Sequence, residues 1–165
     1  MKKLFLTMCL VIAAHTAFAQ TAGSLIDQFK NEPKAEFVHI PRLMMALGKI
    51  VAKSCIDDED DRKSYDIVKK ISSMRVLDLG YCPSDTKQRF RNALGNLNTK
   101  GYEELVHVND DGENTRILTK MKGGKICELL ILNGGSDDCT IVEIKGEIRT
   151  GDLNRLMNDR GNHNF

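Results

Sequence analysis

The chain has no tryptophan, only three prolines and few aromatic side chains, which make up 5% of its 165 residues. That poverty argues against a cleft built of rings for stacking sugars. An excess of either charge is also missing, since 24 Lys and Arg face 23 Asp and Glu. The charges are spread along the chain, so neither a nucleic-acid partner nor a long-range steering field is expected. Apart from the N-terminal segment, no apolar stretch approaches the ~20 residues that span a bilayer as a helix. No transmembrane segment is therefore expected after that start. Motifs that carry chemistry are lacking as well. There is no Cys-x-x-Cys, no His-Glu-x-x-His and no Gly-x-Ser-x-Gly, which removes the thioredoxin, zincin and hydrolase-elbow patterns. No catalytic residue, metal ligand or cofactor site is expected from motifs.

What is present begins with an export signal. Lys2 and Lys3 precede an apolar run from Leu4 to Ala14, and Ala17-Phe18-Ala19 places small residues where a signal peptidase cuts. Residues 1–19 are read as a signal peptide, residues 20–157 as one domain and 158–165 as a polar, disordered tail. The mature chain would start at Gln20, without a lipid anchor, because Cys9 lies inside the apolar run. Losing two lysines leaves 22 basic and 23 acidic side chains, a net charge of −1. The protein is expected to be periplasmic or secreted.

Periodicity divides the mature chain into a helix-rich first part and a strand-rich second part. Leu25, Ile26 and Phe29 share one face of a first short helix, and Ala35 to Ile40 reads as a strand. Pro41 suits the first turn of a helix carrying Leu43, Leu47, Ile50 and Val51 inward, with Met44-Met45 as core filling. The acidic run 57–61 is read as a solvated loop before a further short helix with Tyr65, Val68 and Ile71. Met74 to Gly80 is a second strand. Pro83-Ser84 opens a helix with Phe90, Ala93, Leu94 and Leu97 as its stripe and Gly101 as its cap. Beyond Gly101 the period changes from 3.6 to 2. Four strands follow over 102–109, 114–121, 125–132 and 140–145, joined by links too short for parallel crossovers. Leu129-Leu130-Ile131-Leu132 is apolar on both sides and is expected in the sheet interior. A short helix from Asp152 to Met157 closes the fold. The class is α+β, a C-terminal four-strand antiparallel meander within a larger sheet, with helices mainly on one face.

Several of these runs are familiar. Arg75-Val76-Leu77-Asp78-Leu79, Gly101-Tyr102-Glu103-Glu104-Leu105-Val106 and Glu128-Leu129-Leu130-Ile131-Leu132 resemble the exported family known as domain of unknown function 4252. Ile144-Lys145-Gly146-Glu147-Ile148, running into the Asp152 helix, looks like the closing element of that family. The likeness covers nearly the whole mature chain, and its motifs are structural. It implies an envelope protein typical of Bacteroidetes, and it carries no reaction, cofactor or catalytic residue across.

Function is therefore read from candidates set beside their plainer explanations. His39, His107 and His163 have no metal spacing and read as surface or hydrogen-bonded side chains. Asn109-Asp110-Asp111-Gly112-Glu113 is too compact for a calcium loop and reads as a hairpin turn. The leading expectation is a non-enzymatic binding or interaction module with an envelope protein as partner. Its candidate surface is the outer face of the early meander strands, where Tyr102, His107 and Arg116 lie among carboxylates. The first alternative is a hydrolase or isomerase using carboxylates such as Glu104 or Glu128 as acid and base, which needs two of them converging with separated pKa values. A structural envelope subunit is the second.

Four cysteines remain after export: Cys55, Cys82, Cys127 and Cys139. An even number in an exported chain favours disulfides. Cys127 and Cys139 lie far apart along one hairpin, beyond the ~7 Å that a bridge allows between Cα atoms. Cys82 and Cys139, both at strand ends, are the expected pair. Cys55 and Cys127 are then either paired or free.

Overall fold

The structure, a computed structural model, describes residues 20–53, 65, 66, 68–110, 112–149 and 151, with the backbone alone for 51–53. The signal segment, the acidic run 57–61, Cys55, the closing helix and the tail lie outside the described residues. Among the described residues three helices, α1 (Ala22–Phe29), α2 (Arg42–Lys53) and α3 (Ser84–Gly95), accompany six strands. These are β1 (Glu36–Ile40), β2 (Ile71–Asp78), β3 (Glu103–Asp110), β4 (Glu113–Lys122), β5 (Lys125–Gly134) and β6 (Cys139–Ile148). They form one sheet in the order β1-β2-β6-β5-β4-β3, with every neighbouring pair antiparallel. The class is α+β, and β3 to β6 are the expected meander.

Local chemistry explains the elements. Thr21 caps α1, its hydroxyl accepting from the Ser24 amide while the Ser24 hydroxyl accepts from the Thr21 amide, so two otherwise orphaned donors are satisfied. Gly123 and Gly124 both have positive φ, at 59° and 72°, which closes the β4–β5 hairpin with the twist its strands need. The main core lies where α1 and α3 cover the sheet. Leu25, Ile26 and Phe29 of α1 meet Phe90 of α3 and Leu77, Leu118, Leu130, Leu132 and Ile141 from four strands. Phe29 and Phe90 stand edge to face with centroids 5.4 Å apart. β5 lies inside the sheet, as its two apolar faces require, with Leu130 and Leu132 buried. Its other face carries a second cluster, Ile126 and Leu129 with Ile148.

Some expectations are corrected. α3 ends at Gly95, with Asn96 as its cap, so Gly101 caps no helix and instead serves the turn Thr99–Tyr102 that leads into β3. The second strand starts at Ile71, earlier than Met74, because a bulge at Ser72 lets Ile71 and Ser73 pair with Gly146 and Lys145 of β6 while the Ser72 hydroxyl donates to the Lys145 carbonyl. α2 presents Leu43, Met44, Leu47 and Ile50 to solvent at 51–70% exposure, so this stripe and Met44 are not core. Its inward side is Met45 and Lys49, which are half-buried.

Candidate functional site

Register places polar groups on the helix-bearing face beside α1, whose Gly23 lies against the Arg75 guanidinium. Arg75 of β2 pairs with Glu143 of β6, Glu143 with Leu130 of β5, and Lys145 with Glu128. A row of charges thus crosses three strands next to the apolar core. Glu143 is 3% exposed and accepts from Arg75 Nε at 2.6 Å, with Lys145 Nζ at 3.2 Å from its other oxygen. Glu128 hydrogen-bonds to Glu143 on one side and to Tyr102 on the other. The two carboxyls respond oppositely. Burial, and the hydrogen bond to Glu143, raise Glu128 above the usual carboxylate range. Burial also opposes ionisation of Glu143, but the Arg75 hydrogen bond and the charges of Arg75 and Lys145 carry it below that range. Burial, followed by the Glu128 charge, raises the Tyr102 phenol. Lys120 Nζ lies 5.4 Å from the centre of the Tyr102 ring.

The sequence candidates divide here. His107 and Arg116 are register partners across β3 and β4, and both line a groove of about 280 Å³ against Arg91 and Leu94 of α3. Glu104 joins them, accepting from Arg116 Nε at 2.6 Å and lying 3.4 Å from His107 Nδ1. The Arg116 hydrogen bond holds the Glu104 carboxyl below its ordinary value. A bulge between Glu104 and Val106 turns Glu104 and His107, three residues apart, to one side. Tyr102 does not join this group and belongs to the Glu128–Glu143 row. The expected outer-face surface is corrected on this point, because Arg116 sits opposite Leu132 and Glu104 opposite the core residue Leu118, on the helix-bearing face.

A larger depression lies elsewhere. A cleft of about 810 Å³ opens between α2, the turn before β2 and the far ends of β5 and β6. Among the described residues, Arg42, Lys49, Lys69, Lys70, Lys125 and Arg149 line it with Asp66 and Glu147, six cations against two carboxylates. Lys125 pairs with Glu147 at 2.6 Å, and Lys69 pairs with Asp66. Lys49 Nζ donates to the Ile71 carbonyl at 2.5 Å, and burial, then the Arg42 charge, lower its pKa. The floor is the β2 bulge. A Cβ on Gly146 would fall 2.4 Å from the Lys70 carbonyl oxygen, so only glycine allows β6 to approach there. No sequence pattern pointed to this cleft, because its cations come from four separate stretches of chain. The one signal for the buried row was a lone Glu143 inside the apolar run Ile141-Val142-Glu143-Ile144.

Cys82 and Cys139 are buried free thiols of one core cluster. Their thiols donate to the carbonyls of Pro33 and Gly135 at 3.4 and 3.5 Å, and burial raises both pKa values. Cys127 is also free, its thiol donating to the Lys120 carbonyl at 3.2 Å. Among the described residues, no cluster of His, Cys, Asp and Glu is arranged to hold a metal, and no helix is long and apolar enough to cross a membrane.

The model of the family called domain of unknown function matches residues 29–156 of the chain. This protein belongs to the domain of unknown function 4252 family. The match takes in the sheet, α2 and α3, so the buried row and the basic cleft both lie within the family domain. No curated protein and no solved structure matches the chain.

Proposed function

We propose that this member of the family is an exported, non-catalytic binding module that takes an anionic ligand in its basic cleft. The observation that carries the reading is the crowding, among the described residues, of six cations and two carboxylates around one 810 Å³ depression, in a chain whose charges balance as a whole. Concentrated positive charge in a concave site raises local anion concentration and strengthens each contact beyond its value on a flat surface. Export rests on the signal pattern Lys2 to Ala19, with maturation at Gln20 as a single domain in an envelope of the Bacteroidetes kind. The anion would then be a phosphate or carboxylate group presented within that envelope.

Acid–base catalysis by Glu128 and Glu143 has one observation in its favour, their oppositely displaced pKa values. The pair is nevertheless closed off by Arg75, Lys145 and Tyr102, which satisfy it as a buried network. Neither of the two clefts described above is lined by Glu128 or Glu143. The binding reading is tested by calorimetric titration with pyrophosphate. Saturable binding is expected, weakened by salt and by Arg42→Glu, but not by Lys100→Glu, a control on the exposed loop before β3. Equal losses in the two variants would show a diffuse charge effect and overturn the reading.

A further inference from the structure

We infer that α2 and the basic cleft together form a docking surface for an anionic lipid bilayer. The inference rests on the anion-binding reading of the cleft and names the source of the anion. On α2, Arg42, Ala46 and Lys49 follow helical spacing and line the cleft. One residue further along, Leu43, Leu47 and Ile50 repeat the same spacing and are exposed, with Met44 beside them. One residue is a 100° rotation on a helix, so an apolar stripe runs directly alongside a basic one. In a helix serving only the core, that stripe would face the sheet. Here the half-buried Met45 and Lys49 take that side, and the leucines point away.

A basic flank beside an exposed aliphatic stripe matches the two demands of a bilayer interface. Lipid phosphates attract the cations, and the aliphatic side chains enter the boundary between headgroups and acyl chains. Charge complementarity decides the occupant. The stripe borders a cleft whose described lining holds six cations and two carboxylates, a surface that suits anionic headgroups better than a neutral apolar peptide. Lys49 donates to the Ile71 carbonyl, which fixes the basic flank of α2 against the cleft floor.

The test is co-sedimentation of the mature protein with phosphatidylcholine vesicles, with and without phosphatidylglycerol, beside the pyrophosphate titration. Binding is expected only where phosphatidylglycerol is present. Leu47→Gln should reduce vesicle binding about tenfold or more, since one buried leucine alone accounts for that factor. It adds no charge beside the cleft, so it should leave pyrophosphate binding unchanged, which also shows that the variant is folded, and the milder Leu47→Ala should show a smaller loss. Pyrophosphate binding without vesicle binding, or vesicle binding indifferent to Leu47, overturns the lipid inference and leaves the cleft reading intact. Equal binding to both vesicle types overturns it too, because the cleft would play no part. If neither probe binds, both readings fall.

Discussion

Glu128 and Glu143 are neighbours that burial treats alike and partners treat differently. Arg75 and Lys145 hold Glu143 ionised, whereas Glu128 has the Tyr102 hydroxyl and an anionic neighbour. The folded state therefore holds the Glu128 proton to higher pH than the unfolded chain does. Its stabilising contribution is complete below the unfolded carboxylate value and fades as pH rises through the raised folded value. Glu143 is the reverse, contributing above the unfolded value and losing that contribution as pH falls through its lowered one. Glu128→Gln keeps an acceptor for Tyr102 and a donor for Glu143 but removes the titration. The variant should be more stable than the parent in urea at about pH 7, with the difference shrinking towards about pH 4. A difference that grew on acidification would contradict the assignment. The cysteines give a second expectation at this scale. Leu79 N–H donates to the Cys139 carbonyl, and Cys82 N–H to that of Leu79, so a tight turn brings Cys82 back towards β6. Cys139 is level with Gly134, and Cys127 lies seven residues down β5, about 23 Å away. Unreduced peptide mapping of oxidised protein should yield Cys82–Cys139, and recovery of Cys127–Cys139 would contradict the register.

Among the elements, β5 contributes two buried residues to each of the two apolar clusters. It supplies Leu130 and Leu132 to the main core, and Ile126 and Leu129 to the cluster on the opposite face. Leu130→Ala should lower unfolding stability by about 2–5 kcal/mol. A denaturation midpoint equal to the parent's would place β5 at the periphery. This strand was legible in the sequence because an apolar run between two turn signals leaves few alternatives. The hairpins were equally plain, with Gly112 and Gly123-Gly124 marking the reversals. α2 was legible as a helix but misread as to its environment, since periodicity identifies an apolar stripe without saying what the stripe faces. The bulges were hidden altogether. The one in β3 brings Glu104 to His107 and Arg116, and the one in β2 shapes the cleft floor, yet neither leaves a mark on alternation. The structure accordingly sets His107 beside Arg116 and leaves Tyr102 with Glu128.

At the scale of the whole molecule, near neutrality conceals an uneven distribution. Residues remote in sequence from α2, the turn before β2, β5 and β6 place their cations around one depression, whereas the carboxylates of Glu128 and Glu143 are spent inside the buried row. Antiparallel topology produces this gathering. The first residues of β2 and β5 and the last of β6 lie at one end of the sheet, and α2 packs beside them. The smaller groove lined by Arg91, His107 and Arg116 is the competing anion site, at the opposite end of the sheet. The measurement that separates them is a map of backbone amide shifts as pyrophosphate is titrated into the mature protein. The account predicts saturable shifts concentrated at Lys49, Lys70, Ser72 and Gly146, with Arg91, His107 and Arg116 unmoved. Shifts centred on His107 and Arg116, or none that saturate, would contradict it.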